Sequence, residues 1–242
     1  MAWCVQIIGL ILFFVLSSCN PFECAKRTGD VQSQVREVGK IEKIIVEDNI
    51  QLVLTNDSST QVRIEAGANL IGQIETKLTG TTLLVQNKNR CNWARSAEQP
   101  IRVWVGGQAL DFIQLMGVGS LVSNEMIQHR RPLLKISSEN VAAIRLQMSG
   151  SSLDLFTQSS QLITFQGNWQ QGKIEVRGFG KVWLEGLQVQ QMEAIHNGLN
   201  EMRIFPVQRL QASLSNKGNL YLYNEPQELV QVRTGSGNIF RR

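Results

Sequence analysis

Residues that could do catalytic chemistry are scarce in this sequence of 242 residues. Its two histidines, His129 and His196, stand in different contexts, without a nearby cysteine or a regular acidic partner. We interpret His129, beside two arginines, as a loop residue, and His196, just before Asn197-Gly198, as a turn residue. The sequence contains no Gly-x-Ser-x-Gly elbow, P-loop or His-Glu-x-x-His motif. It therefore predicts no nucleophile with a paired base, no metal site and no cofactor.

Two carboxylates supply one enzymatic candidate. Glycoside hydrolases use a pair of carboxylates roughly 5–10 Å apart across a cleft. On the repeat register derived below, Asp154 and Glu175 face outward, in the rows that lead to Trp183. A polysaccharide lyase or glycoside hydrolase of the β-helix type is therefore an alternative function. A groove lined by at least three convergent acids would favour that enzyme, whereas an aromatic or neutral face would favour a binding module.

Cys19 is the residue with the most specific sequence context. Residues 1–18 carry no charge, and Ile7–Leu16 form an apolar run of ten residues broken only by a glycine. As a helix this run would span about 15 Å, which is too short for the ~30 Å hydrocarbon core of a bilayer. Leu16-Ser17-Ser18-Cys19 resembles the bacterial lipoprotein box, in which the cysteine is lipidated and becomes the first mature residue.

The N-terminal pattern predicts a lipoprotein signal peptide over residues 1–18 and a membrane tether through lipid on Cys19. Asn20 follows the cysteine in place of an acidic retention residue, which favours the outer membrane of a bacterial cell envelope. The Lys or Arg expected before the apolar run is missing. An ordinary cleaved signal, or a buried N-terminal helix with an incidental cysteine, are the alternatives.

Cys24 and Cys91 are left as a pair once cleavage removes Cys4 and lipid occupies Cys19. Exported proteins enter an oxidising compartment, so this pair is predicted to form a disulfide. The bridge would close a loop of roughly 67 residues and stabilise the fold by about 4 kcal/mol through chain entropy. Two buried free thiols are the alternative.

Composition excludes several classes of protein. Charged residues make up 18% and hydrophobic residues 43% of the chain, which fits neither a disordered chain nor a polytopic membrane protein. The net charge is +4, and the basic residues are scattered apart from two Arg-Arg pairs. Nucleic-acid binders concentrate Lys and Arg on one face. No nucleic-acid partner is therefore expected.

Short runs of alternating apolar and polar residues recur from residue 44 onwards, whereas residues 25–40 are polar. Period-two alternation and abundant turn residues predict an all-β protein. We therefore divide the chain into the signal peptide 1–18, a lipidated N-terminus and polar tether 19–40, and a β-solenoid domain 41–242.

A small-residue turn pattern repeats along the domain. Its last three intervals are 20, 18 and 19 residues, whereas the earlier two are 32 and 29 and imply an insertion or an irregular turn. Spacing near 19 residues is typical of stacked β-solenoid coils. The turns are predicted at Gly117–Leu121, Ser149–Leu153, Gly178–Val182, Gly198–Met202, Asn216–Leu220 and Gly235–Ile239.

Aligning the last four coils predicts one inward and one outward row, because alternate residues of a strand share a face. The inward row is a stack of Val182, Met202, Leu220 and Ile239. The outward row is a candidate binding face of Trp183, Arg203, Tyr221 and Phe240, in which Arg203 would stack between Trp183 and Tyr221. This row either shields the sheet or forms a platform for a glycan or an envelope protein.

The order of these motifs resembles the putative auto-transporter adhesin, head GIN domain family over residues 41–240. The resemblance is carried by the lipoprotein box, residues 44–54, 66–71 and 89–93, and the closing Gly235-Ser236-Gly237-Asn238-Ile239. It implies a right-handed β-helix-like fold, an envelope location and no demonstrated enzymatic activity. The chain departs from the family pattern where internal turns lack a glycine and where it lacks an aromatic-x-Gly ending.

These observations predict a non-enzymatic, lipid-anchored envelope protein with an adhesin-like or glycan- or protein-binding role. The β-helix enzyme is the runner-up, and a purely structural envelope lipoprotein is a third alternative.

Overall fold

Runs of alternating aliphatic and polar residues form the strands of a β-solenoid of about six turns, as predicted. The computed structural model describes residues 28–89, 100–139 and 141–242. A short 3-10 helix covers Ile71–Gln73. The strands are β1 (Val31–Glu37), β2 (Lys43–Val46), β3 (Ile50–Thr55), β4 (Gln61–Gly67), β5 (Ile74–Thr79), β6 (Thr82–Asn87), β7 (Ile101–Gly106), β8 (Phe112–Leu115), β9 (Ser120–Ser123), β10 (Ile127–Gln128), β11 (Leu133–Ser138), β12 (Ala143–Thr157), β13 (Ile163–Val176), β14 (Val182–His196), β15 (Met202–Leu214), β16 (Leu220–Leu222), β17 (Glu228–Arg233) and β18 (Ile239–Arg241).

The long strands β12 to β15 turn corners, so that each contributes to two sides of the solenoid, here called side one and side two, and to a short segment between them. In β14 the buried positions change phase at residues 185–186 and again at 190–191. Side one contains β1, β4, β7, β3, β9, the first parts of β12 to β15, β16 and β18. Side two contains β5, β6, β2, β8, β11, the last parts of β12 to β15, and β17.

Spatial order differs from chain order at the N-terminal end. The coil made of β2 and β3 lies between the coil of β6 and β7 and the coil of β8 and β9. Strands β1, β4 and β5 pair antiparallel and close this end, whereas the other described pairings are parallel. From β12 to β16, each strand pairs with the next in sequence, after which β17 pairs with β15 and β18 pairs with β16.

The predicted inward stack is confirmed. Val182, Met202, Leu220 and Ile239 are successive register partners on side one. The first three are almost fully buried, and Ile239, on the last coil, is half-buried. Parallel strands lie ~4.8 Å apart, so these side chains fill the interior as a continuous aliphatic column.

The repeated small residues are required because successive turns lie in contact. A Cβ on Gly119 would lie 1.9 Å from the carbonyl oxygen of Ile50, and a Cβ on Gly237 would lie 2.1 Å from that of Gly218. The turns also bond to each other, since the Gly237 N–H donates to the Asn216 carbonyl at 2.9 Å. A larger residue would force the coils apart.

The predicted turn at Ser149–Leu153 is wrong. These residues lie within β12, and Leu153 is paired with Gly172 on side two. A Cβ on Gly150 would lie 2.6 Å from the Trp169 ring, so the small residues here make room for a core tryptophan at a corner. The coils of this region begin at Ile144 and Ile163. The turns that precede these two residues lack glycine, so the small-residue pattern did not mark them. The long intervals of 32 and 29 residues therefore reflect a misplaced turn, not an insertion.

Part of the predicted tether 19–40 is a strand. Residues 31–37 form β1, which pairs antiparallel with β4 from Val31↔Gly67 to Glu37↔Gln61. Most side chains of β1 are exposed, so they need not be apolar, and the sequence does not mark this segment as a strand. Backbone pairing holds it instead, together with Arg36, whose guanidinium donates to the Ile74 carbonyl at 2.6 Å.

Substitution of the turn glycines tests this stacking. We expect Gly119→Ala to lower the free energy of unfolding by about 1–3 kcal/mol, because the added methyl overlaps backbone of the adjacent coil. Gly72→Ala is the matched control, since nothing lies within 4 Å of its Cβ position. The control should change stability by less than about 0.5 kcal/mol. Urea unfolding that gives equal values for the two variants would contradict the stacking of the turns.

Candidate functional site

The four predicted face residues are adjacent in the structure. Trp183 pairs with Arg203, Arg203 with Tyr221, and Tyr221 with Phe240, all on the outer surface of side one. Trp183, Arg203 and Tyr221 are half-buried, and Phe240 is 42% exposed. The predicted row therefore exists as a surface feature, and its role in binding stays a prediction.

Trp183 is fixed by an acidic and a basic neighbour. Its indole N–H donates to Glu201 Oε1 at 2.9 Å. The Arg203 guanidinium carbon lies 4.3 Å from the Trp183 ring centroid, and Arg203 also donates to Glu201 at 2.8 Å. A second, longer bond of 3.4 Å joins Arg203 to Glu185. These bonds orient the cation over the ring and stabilise a ready-formed cation–π pair.

The same contacts control the charge of Glu201. Burial alone would raise the pKa of its carboxyl, but the hydrogen bonds from Trp183 and Arg203 outweigh burial and hold the pKa below its ordinary value. Glu201 is therefore ionised at neutral pH and acts as an acceptor for both neighbours.

Tyr221 and Phe240 form the end of the row. Their rings are stacked, with centroids 5.2 Å apart and planes inclined by 20°. The Arg242 guanidinium lies 5.1 Å from the Tyr221 ring. The expected sandwich of Arg203 between Trp183 and Tyr221 is thus realised on the Trp183 side, while Tyr221 stacks on Phe240.

The row continues across the whole of side one, which the sequence analysis missed. We call this outer row the outward ladder. Near its N-terminal end it repeats the arginine–tryptophan pair, since the Arg63 guanidinium lies 4.1 Å from the Trp104 ring centroid. In register order its members are Val35, Arg63, Trp104, Val53, Val122, Arg145, Thr164, Trp183, Arg203, Tyr221 and Phe240. At ~4.8 Å per strand the ladder is about 48 Å long.

Asp154 and Glu175 do not lie in rows that lead to Trp183, contrary to the sequence prediction. Trp183 is paired with Thr164 on side one, whereas Asp154 is paired with Lys173 on side two. The register was misread because β12 turns a corner before Asp154, and β13 turns a corner before Glu175. Glu175 accepts a hydrogen bond from Arg177 at 2.7 Å.

Side two carries a row in which acids and bases alternate. Lys135, Asp154, Lys173 and Glu193 are successive register partners. An open groove of about 430 Å³ lies over this row and is also lined by Arg209. Of the described residues that line it, Asp154 and Glu193 are the acids, and Lys173 lies between them. The groove therefore lacks the three convergent acids that would favour a glycosidase or lyase.

Both histidines are buried, which the interpretation of His129 as a loop residue and His196 as a turn residue did not anticipate. His196 is the last residue of β14, and its Nε2 lies 2.9 Å from the Asn200 carbonyl oxygen. His129 Nε2 lies 2.7 Å from the Leu110 carbonyl oxygen. Burial lowers the pKa of each histidine, and the carbonyl contacts oppose this shift in part. Both side chains are thus neutral packing residues at neutral pH.

The predicted lipidation site and the predicted disulfide depend on three cysteines. Cys19, Cys24 and Cys91 lie outside the described residues, so the lipid site and the disulfide stay predictions. Within residues 28–89, 100–139 and 141–242, no three His, Cys, Asp or Glu residues are grouped closely enough to hold a metal ion. The same part of the chain forms no helix with the length and hydropathy of a membrane span.

Comparison with protein families identifies the chain. The family model described as putative auto-transporter adhesin, head GIN domain, matches residues 40–226. The chain belongs to this family. The matched stretch includes the predicted turns up to Asn216–Leu220, whereas the closing Gly-Ser-Gly-Asn-Ile motif at residues 235–239 lies beyond it. No curated protein matches the chain.

Solved structures share the fold of this head GIN domain. A putative adhesin from Bacteroides fragilis has a TM-score of 0.76 at 16% identity, over 88% of this chain and 97% of that one. A putative adhesin from Parabacteroides distasonis has a TM-score of 0.62 at 17% identity, over 88% and 98%. A putative lipid binding protein from the same species has a TM-score of 0.62 at 16% identity, over 88% and 97%. At these identities the likeness concerns the fold alone.

Burial of His196 predicts acid sensitivity. Its folded-state pKa lies below the unfolded value near 6.5, so the unfolded chain takes up a proton first as the pH falls. Stability is full above about pH 6.5 and is lost as the pH falls from there toward the lowered folded-state pKa. We expect the melting temperature to fall between pH 7.5 and pH 5.5, and to fall less in His196→Leu, whose remaining loss comes from His129. An unchanged pH dependence in that variant would contradict this account of the pKa shift.

Proposed function

We propose that the protein is a non-enzymatic binding module of the bacterial cell envelope, anchored by lipid on Cys19, that contacts a glycan or an envelope protein through the outward ladder. The observation that carries this proposal is the row of Trp183, Arg203, Tyr221 and Phe240, with the matching Arg63–Trp104 pair, on one surface. Tryptophan, tyrosine and arginine are the residues that dominate recognition surfaces. The adhesin names of the family and of two structural neighbours agree with it.

The geometry of the anchor suits display of this face. Eleven residues separate Cys19 from Val31, the first residue of β1. A chain of that length reaches at most about 40 Å. Since β1 is the edge strand at one end of side one and β18 is the strand at the other, the tether would hold the N-terminal end near the membrane. Tyr221 and Phe240 would then project away from it.

Lipid binding, which appears in the name of one structural neighbour, is less well supported in this chain. The interior of the solenoid is filled by aliphatic columns, and residues such as Ile163, Leu184 and Leu220 have at most 1% of their surface exposed. An acyl chain would have to displace these side chains, at a cost similar to disrupting the core.

The aromatic face can be tested with a double substitution. We expect Trp183→Ala with Tyr221→Ala to weaken binding to a panel of immobilised glycans, or to purified envelope proteins, at least tenfold. Loss of two aromatic contacts of about 1 kcal/mol or more each gives this magnitude. Gln171→Ala with Gln191→Ala, two exposed positions of side two, is the matched control. Equal binding by the wild type and the aromatic variant, with both folded by circular dichroism, would contradict the proposed face.

The anchor can be tested in the native host. The wild-type chain should incorporate labelled palmitate and fractionate with membranes, whereas Cys19→Ser should do neither, because the acylated residue is gone. Two or more acyl chains at ~0.8 kcal/mol per methylene hold a protein on a membrane nearly irreversibly. Equal labelling of both forms, or labelling of neither, would show that Cys19 is not the anchor.

A further inference from the structure

The middle of the outward ladder contains a polar groove of about 320 Å³. Three residues with short side chains, Ser120, Val122 and Ala143, line it on β9 and β12. Gln51 of β3 bounds one side, and residues 161–164 before and within β13 bound the other. Its volume lies at the lower end of the range of small-molecule sites.

The groove contains polar groups that are not used by the protein itself. Among the described residues, the side chains of Arg145, Gln161 and Thr164 form no hydrogen bond or ion pair with one another or with any neighbour. Gln51 is held in place instead, because it accepts from Arg102 at 3.2 Å and donates to the Ser120 hydroxyl at 3.1 Å. The groove thus combines an oriented amide with free donors and acceptors.

The charge of the groove favours an anion. Arg145 is exposed, and of the described residues that line the groove none is acidic. The other arginines of the outward ladder differ in this respect, since Arg63 lies 3.9 Å from Glu65 and Arg203 lies 2.8 Å from Glu201. A guanidinium without a partner offers two parallel donors to a carboxylate.

The ladder also places an aromatic ring close to the groove. Thr164 lines the groove, and Trp183 is its register partner on the next strand, ~4.8 Å away. Arg203 stacks on Trp183 from the opposite strand. A saccharide in the groove would therefore meet hydroxyl and amide partners on its edges, a cation at Arg145 and the ring of Trp183 beside it.

We propose that this groove binds one sugar unit of an acidic polysaccharide, with the carboxylate on Arg145 and the sugar hydroxyls on Gln51, Ser120, Gln161 and Thr164. The proposal rests on the proposed function of the outward ladder and specifies its ligand class. Trp183 packs against the neighbouring sugar unit, which links the groove to the aromatic end of the ladder.

Calorimetry on the detergent-solubilised full chain tests this site, with tetragalacturonate as the acidic probe and its methyl ester as the matched neutral probe. We expect the wild type to bind the acid at least tenfold more tightly than the ester. Arg145→Gln should abolish this preference by weakening binding of the acid about tenfold, and should leave binding of the ester unchanged. Arg209→Gln on side two, which also removes one exposed cation, is the control and should behave as the wild type.

The groove proposal would be overturned by equal affinity for acid and ester, by an unchanged preference in Arg145→Gln, or by an equal loss in Arg209→Gln. Complete competition by sulfate, with no contribution from the sugar, would also overturn it, because the site would then bind an anion alone. These failures are distinct from failure of the proposed function, which would show as unchanged glycan and protein binding in the Trp183→Ala, Tyr221→Ala variant.

Discussion

Each coil of this protein lies directly on the backbone of its neighbours, and the remaining features follow from that contact. Strand pairing sets a spacing of ~4.8 Å, so the turns that join the coils must approach equally closely. At Gly119 and Gly237 the approach leaves no room for a Cβ. Once the turns are stacked, inward side chains must form columns and outward side chains must form rows, because the register repeats from coil to coil.

The inward and outward rows serve different purposes. The inward columns need only aliphatic residues of suitable volume, and they account for the buried core on both sides. The outward rows are not constrained by packing, so their chemistry reflects other demands. Side one carries arginine–tryptophan pairs and a neutral-to-basic groove, whereas side two carries a row in which acids and bases alternate. This asymmetry is the reason why the proposed recognition face is placed on side one.

Sequence reasoning recovered the part of the fold where chain order equals spatial order. The stack from Val182 to Ile239 and the neighbouring aromatic row could be predicted because glycine and asparagine mark those turns at near-constant intervals. It failed where local composition is ambiguous, since the small residues around Gly150 mark a corner and not a turn. It could not find the groove, because Gln51 and Arg145 are brought together by a coil inserted out of order. Strand β1 escaped notice because backbone pairing, not burial, holds it.

The most direct test of the account is nuclear Overhauser spectroscopy on a sample with labelled methyl groups of Ile, Leu, Val and Met. Residues separated by 18 to 20 positions in the chain are register partners, so cross-peaks should connect Val182 with Met202, Met202 with Leu220, and Leu220 with Ile239. The account predicts all three in one continuous chain of contacts. Methyl groups that show cross-peaks to other residues but none along this series would contradict the coil register, and with it the outward ladder.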